Sequence, residues 1–358
     1  MEKVRSYGIE EGICDWLESF LSNRKQQVII NGQRSEEEDV ISGVPQGSVL
    51  GPLLFIIFIN DLPELVKAAL FLFADDSKIW KEIEGQHDKV SLQEDLNAME
   101  QWSKTWLLEF HPDKLKLIHM NIKHEEVESD YKVGEYTVKG VQKEKDLGVI
   151  VDKRLSFEQH ITYIVKKANS TMAMIRRAFK FLDRDMFRLL FKGMVRNGLE
   201  YGGPVWSPYK MKEIERIEGV QRRATSRLPG MKNKTYEERL KELNLPTLRY
   251  RRTRGDMIET YKIMYGIYDN EVTPKLEMLK DKRGCSNIRG KNSLSLFQKR
   301  ARLEMTRNSF THRIVKVWNS LPEKVVKAPS VNAFKNELDR EWKHKEARFN
   351  FRVDIMGK

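Results

Sequence analysis

The chain has 358 residues, 64 Lys+Arg against 52 Asp+Glu for a net charge of +12, and 40% hydrophobic residues. This length and apolar content supply real cores for two or three domains, and the positive balance points to a polyanionic partner, most often nucleic acid. Cys14 and Cys285 are too few for a disulfide framework, the start Met-Glu-Lys-Val-Arg has no secretory apolar core, and the longest apolar run (49–59, broken by Gly51 and Pro52) is shorter than the ~20 residues of a membrane span; the expectation is an intracellular protein, nuclear or cytoplasmic, with no membrane contact.

In chain order, Ile13, Trp16, Leu17, Phe20 and Leu21 recur at helical spacing and predict a helix over 11–23. Residues 26–30 read as a strand, Asn31-Gly32 as a two-residue turn, and a second strand follows toward Val40. Residues 42–47 form a loop, Ser48 can cap the next helix, and Pro52 is tolerated in its first turn. Residues 53–59 are apolar on every face, so that helix is expected to be buried. Two short apolar runs, 69–73 and 77–80, flank Asp75-Asp76 and predict a β-hairpin, a buried sheet with carboxylates at its tip. A helix is expected over 88–107, then strands near 115–120, 131–139 and 145–151, with Gly134 at a turn.

Beyond residue 152 the pattern becomes helical. Ile161, Ile164, Val165, Ala168, Met172 and Ile175 form a stripe interleaved with Lys166, Lys167, Arg176 and Arg177. Further helices are predicted at 184–199, 211–227, 235–243, 247–267 and 331–345, and a loop at 281–292. Methionines within 172–194 are assigned to core. The charge divides with the structure: residues 1–150 hold 17 Lys+Arg and 28 Asp+Glu, a net −11, whereas the remainder is +23. The acidic part could hold metal ions and the basic part a phosphate backbone.

Two segments carry the chemistry. Adjacent carboxylates on a hairpin tip can reach one point in space and hold a hard divalent cation, although an isolated Asp-Asp is usually a solvated turn. The loop Ser42-Gly43-Val44-Pro45-Gln46-Gly47 has two glycines that permit close backbone approach to a ligand, and Gln46 both donates and accepts. His111 and His119 lie apart from any cysteine and read as loop or surface residues; no P-loop and no Gly-x-Gly-x-x-Gly is present.

Taken together, residues 42–55 (SGVPQGSVLGPLLF), Asn60-Asp61-Leu62-Pro63 and Phe73-Ala74-Asp75-Asp76 closely resemble the reverse transcriptase of non-LTR (LINE-type) retrotransposons, particularly jockey-like elements. The resemblance implies an α+β fold. A partial polymerase palm, an antiparallel sheet with helices and the Asp-Asp hairpin, occupies 1–152. A basic helical thumb follows at 153–280, and a C-terminal basic region at 281–358. It implies RNA-directed DNA polymerisation with Mg2+ (or Mn2+), an RNA template, a DNA primer and deoxynucleoside triphosphates. By position, Asp75 and Asp76 become catalytic metal ligands, with Asp75 the direct one, and Gln46 and Gly47 contact template and nucleotide. His111-Pro112-Asp113-Lys114-Leu115-Lys116 resembles the family's motif D, with Lys114 preferred to Lys116 near the nucleotide phosphates. Lys145-Asp146-Leu147-Gly148-Val149 resembles its primer grip, which implies that role for Leu147 and Gly148. Residues 199–206 and 220–225 resemble its thumb, where Arg222 and Arg223, beside Lys210, Lys212, Arg216 and Arg227, would track a primer–template duplex; residues 310–322 resemble its C-terminal region. The family's other metal-binding aspartate, in motif A, would precede Met1. Asp15, Glu18, Asp39 and Asp61 are candidates to replace it only by proximity in sequence, and none sits in a short apolar strand of the required kind. The chain is therefore expected to be N-terminally truncated and inactive alone, with a non-catalytic nucleic-acid-binding remnant as the alternative. The sequence sets no oligomeric state.

Overall fold

The computed structural model describes residues 1–120, 130–281 and 292–357. The expected 281–292 loop, with Gly284, Cys285 and Gly290, lies outside these residues except at its two ends. The described residues form two compact units, one of 1–117 and 130–141, the other of 118–120 and 142 onward. Among the described residues no helix is long and apolar enough to cross a membrane.

The first unit mixes helices with small sheets. The periodic 11–23 segment forms a helix over Glu11–Leu21, with Cys14 and Leu17 buried. Asn31 and Gly32, both at positive φ, close a hairpin that pairs Ile29–Ile30 with Gln33–Arg34. Farther out, Arg24–Gln26 pairs antiparallel with Glu38–Val40. The 88–107 helix spans Gln86–Trp106. Its buried Asp95 accepts hydrogen bonds from the Lys67 and Ala68 amides (2.9 and 3.0 Å), which sets the entry of the strand Ala69–Phe73.

Two expectations for this unit are corrected. The strands do not join into one antiparallel sheet: among the described residues every sheet has two strands, and Lys139–Gly140 pairs in parallel with Lys116–Leu117. Sequence alternation and turn chemistry specify each local pair; they do not bring one pair beside the next. The helix Leu50–Ile59 is not buried on all sides. Gly51, Leu54 and Ile59 face inward, whereas Leu53 is 52% and Ile56 54% exposed. A helix apolar all round needs neighbours all round. Here it has two small cores, one with Val4, Cys14 and Leu17, the other with Leu62, Met99 and Trp102.

The second unit is mostly helical. The 161–175 stripe lies within a helix over Glu158–Ala178, and Ile161, Ile164, Ala168, Met172 and Ile175 are buried. They pack in one core with Phe187, Phe191, Leu199, Trp206, Ile217 and Val220. The predicted 184–199 helix is interrupted: a wider π-helical stretch, Phe191–Arg196, separates Arg184–Leu190 from Asn197–Glu200. Of the methionines assigned to core, Met172 is buried in this core, whereas Met174, Met186 and Met194 are exposed and take no part in it. Helices over Met211–Ser226, Tyr236–Glu242 and Leu248–Met264 follow the expected pattern. Thr235 and Glu238 form a reciprocal capping box, and Thr247 accepts from the Tyr250 amide at 3.1 Å. A further core packs Tyr261, Trp318, Phe334 and Trp342. Its helix Phe310–Asn319 has no counterpart among the predicted helices, although Ile314, Val315 and Trp318 show the spacing of a buried stripe. Arg313 on that helix pairs bidentately with buried Asp256 (2.8 and 2.9 Å) and donates to the Pro204 carbonyl at 2.8 Å.

Candidate functional site

The site begins with a two-residue turn. Strands Ala69–Phe73 and Asp76–Trp80 pair antiparallel with Phe73 opposite Asp76, so Ala74 and Asp75 make the turn and Asp76 opens the return strand. Alternation divides the hairpin into two faces. Leu70, Leu72 and Ile79 pack against Ile59, Met99 and Trp102. Phe71, Phe73 and Trp80 share the opposite face with Asp76 and are 49%, 64% and 53% exposed. The expectation of a buried sheet is therefore corrected to a sheet covered on one face, with both aspartates exposed at its tip. One layer of helix can cover only one face of a two-stranded sheet. Ala74 has φ of 51°, a left-handed conformation that L side chains rarely hold outside constrained turns.

Asp75 and Asp76 supply two adjacent carboxylates to solvent. A hard cation such as Mg2+ prefers six oxygen ligands and retains water readily, so this pair fits part of the shell of one ion. Among the described residues no group of three or more Asp, Glu, His or Cys could hold a metal. The acids considered as substitutes are engaged elsewhere or exposed. Asp61 accepts from Lys3 Nζ at 2.6 Å and from the Trp102 indole N–H at 3.1 Å. Glu18 faces Arg5 at 3.5 Å, Asp39 pairs in register with Lys25 in the Arg24–Val40 ladder, and Asp15 lies on the exposed side of its helix.

The glycine loop is pinned from behind. Arg24 donates through Nη2 to the carbonyls of Gly43 (2.6 Å) and Ser42 (3.3 Å), and through Nε to the Leu21 carbonyl (2.8 Å). Ser48 Oγ accepts from the Gly51 amide and donates to the Pro45 carbonyl, closing the loop onto the helix that follows. A Cβ on Gly51 would meet Ser48 Oγ at 3.0 Å and the Pro45 carbonyl at 3.1 Å. Gln46 and Gly47 are left exposed, with Gly47 at φ 83°. Lys3 and Arg24 are the supports that sequence reasoning missed. Lys3 acts on Phe58 and Asp61, 55 and 58 residues away, and Arg24 reaches Ser42 and Gly43, 18 and 19 residues away, besides the nearby Leu21; neither lies in a pattern.

Lys114 is exposed at the end of the short turn Pro112–Lys114. In the second unit, Leu147 and Gly148 form the tip of the hairpin Lys143–Asp146/Val149–Asp152, both at positive φ (43° and 88°), the signature of a tight mirror-image turn. The Tyr201 hydroxyl donates to the Leu147 carbonyl at 2.9 Å, and its ring lies where a Cβ on Gly148 would come within 3.2 Å. Beneath this hairpin, buried His160 accepts from the Ile150 amide through Nδ1 (3.2 Å) and meets Trp206 edge-on at 5.1 Å; burial lowers its pKa to about 4. Arg222 and Arg223 are exposed on Met211–Ser226, and Arg223 donates to Asn169 at 3.2 Å.

Residues 1–159 match a family model described as reverse transcriptase (RNA-dependent DNA polymerase). The chain is 27% identical over 255 residues to the probable RNA-directed DNA polymerase from transposon X-element of Drosophila melanogaster, covering 65% of this chain and 28% of that protein. It is 26% identical over 282 residues to the RNA-directed DNA polymerase from mobile element jockey of the same organism, covering 73% and 30%. A similar likeness, 28% identity over 58% of this chain and 24% of the relative, holds for the probable RNA-directed DNA polymerase from transposon BS. The chain thus spans less than a third of the length of these curated relatives. No solved structure matches it.

Proposed function

For a chain whose residues 1–159 match the reverse transcriptase model and which is similar to RNA-directed DNA polymerases of transposons and mobile elements, we propose that it carries metal-binding and nucleic-acid-binding parts of an RNA-directed DNA polymerase of a non-LTR retrotransposon. The observation that carries this reading is the turn that presents Asp75 and Asp76 together, exposed, within the family-matched span. In this reading 1–152 is palm, 153–280 is thumb and 281–358 is the C-terminal region. Asp75 and Asp76 hold Mg2+. The bound ion supplies charge that favours ionisation of a primer 3′-hydroxyl and stabilises departing pyrophosphate. Gln46 and Gly47 face template and incoming nucleotide, Lys114 its phosphates, and Leu147 and Gly148 the primer end. Arg222 and Arg223 neutralise backbone phosphates of an RNA–DNA duplex, which is recognised through shape and backbone.

Two carboxylates do not clamp two ions. With no third acidic group beside them among the described residues, this chain alone is proposed to bind primer–template but extend it poorly. Losing a ligand of the metal pair removes several kcal/mol of barrier lowering, roughly 10³-fold or more in rate. Primer extension on an RNA template, with Mg2+ and with Mn2+, tests both parts. Weak or no extension with retained duplex binding is the expected result. Robust synthesis abolished by Asp75→Ala would overturn the proposed inactivity, and no affinity for RNA–DNA duplex would overturn the reading as a whole.

A further inference from the structure

A cleft of about 460 Å³ opens in the second unit between the helices Leu248–Met264 and Val331–Glu341, floored by Pro246 and Tyr250. Its charged lining is strongly one-sided: Arg251, Arg254, Arg340, Lys343 and Arg348 against Asp339. None of these cations belongs to the segments that carry the family resemblance.

The cations are held in two ways. Arg251 binds Glu200 through Nε and Nη2 (2.9 and 2.7 Å), and Arg254 binds Asp339 through the same pair of atoms (2.6 and 2.7 Å). A guanidinium has five N–H donors in a rigid fork, so a bidentate pair fixes its plane and leaves donors on Nη1. Arg340 pairs with Glu337. Among the described residues Arg348 meets neutral partners: it donates to Asn244 Oδ1 at 3.1 Å and the Lys343 carbonyl at 3.3 Å, and its guanidinium lies 5.2 Å from the centre of the Phe349 ring. Lys343 is exposed and its ammonium has no partner among the described residues. Glu200, which also faces Arg196 at 3.4 Å, with Glu337 and Asp339 offsets at most three of the five cations, so the cleft keeps an uncompensated charge of at least about two, and Lys343 and Arg348 are the cations without a carboxylate partner among the described residues. Like charges gathered around one concavity repel, and an anion seated there relieves the repulsion.

We propose that this cleft binds a phosphate group of single-stranded nucleic acid, a contact separate from Asp75–Asp76 and from Arg222–Arg223. Phosphate matches the donors: its oxygens accept from several guanidinium forks and an ammonium at once. The volume matches a nucleotide-sized ligand. A duplex presents its phosphates on a convex cylinder, whereas an open cleft between two helices receives the phosphate of one flexible strand. The +23 balance over residues 151–358 draws a polyanion to this unit. The choice of ligand rests on the nucleic-acid reading given under Proposed function; the cleft itself does not.

The test uses the full chain, a fluorescein-labelled single-stranded RNA and anisotropy titrations over a range of salt. Lys343→Gln removes one cleft charge with no partner to strand. Lys324→Gln, on the exposed face of Glu323–Val326, removes one charge outside it. Losing one phosphate contact to a single strand should weaken binding about fivefold at about 0.1 M salt and reduce the salt slope by about 0.7. Lys324→Gln should change affinity less than about twofold, a difference ascribable to the long-range field. Inorganic phosphate, at constant ionic strength, should displace the Lys343-dependent component and leave the variant's residual binding unaffected. Equal effects of the two substitutions, no effect of Lys343→Gln, or no displacement by phosphate would each overturn the proposal. None of these readouts involves nucleotide addition, so failure of primer extension leaves the cleft intact and loss of the Lys343 effect leaves the Asp75–Asp76 reading intact.

Discussion

The hydroxyl of Tyr201 donates a 2.9 Å hydrogen bond to the carbonyl of Leu147, so a residue 54 positions downstream holds the tip of a hairpin that has no side-chain bulk of its own at Gly148. The Tyr201 carbonyl in turn accepts from the Trp206 indole at 2.7 Å, and Gly202 sits where a Cβ would meet Val149 at 3.1 Å. The 201–206 segment is thus a backing plate for the 143–152 hairpin.

Tyr201→Phe removes the bond and keeps the ring against Gly148. A partly exposed neutral hydrogen bond is worth about 0.5–1.5 kcal/mol net. The variant should show faster amide exchange at Asp146–Val149 with a loss of global stability inside that range. Unchanged exchange at the tip would mean that the turn holds itself.

Ala74 is the strained residue of the Asp75–Asp76 hairpin, with φ of 51°. Holding an L residue in that region costs about 1–2 kcal/mol. Glycine relieves the strain but adds about 0.4–1 kcal/mol of unfolded-state entropy. Ala74→Gly should therefore stabilise the first unit by roughly 0.5–1 kcal/mol in chemical denaturation. Destabilisation would show that Ala74 is not strained.

The stability of the second unit should depend on His160. Burial lowers its pKa to about 4, against an ordinary value near 6.5. Between those values the unfolded chain binds the proton and the folded chain does not, so stability is full above about pH 6.5 and falls as the pH drops toward 4. The loss approaches about 3 kcal/mol at the acid end of the window. Denaturation midpoints measured across this range should lose that slope in His160→Gln, which keeps an acceptor for the Ile150 amide and cannot charge. An equal slope in the variant would assign the acid sensitivity elsewhere.

The contrast between Asn31-Gly32 and Asp61 separates what was legible in the chain from what was not. Asn31-Gly32, the 161–175 stripe and the pair of short runs around Asp75-Asp76 are local: turn geometry and periodicity act between neighbours, so order and spacing suffice to read them, and the family resemblance resides in the same contiguous segments. Which face of a helix or hairpin is covered is not local. Leu53, Ile56, Phe71 and Phe73 are apolar yet exposed, because coverage depends on what packs there and not on hydrophobicity. The engagement of Asp61 by Lys3 and Trp102, the hold of Arg24 on Gly43, and the gathering of Arg251, Arg254, Lys343 and Arg348 around one cleft join residues far apart in sequence. The sequence alone determined the kind of chemistry Asp75 and Asp76 can serve. Only tertiary packing decided which acids remain free to join them and where the positive charge of the second unit becomes concave, since both depend on distances that no spacing along the chain encodes.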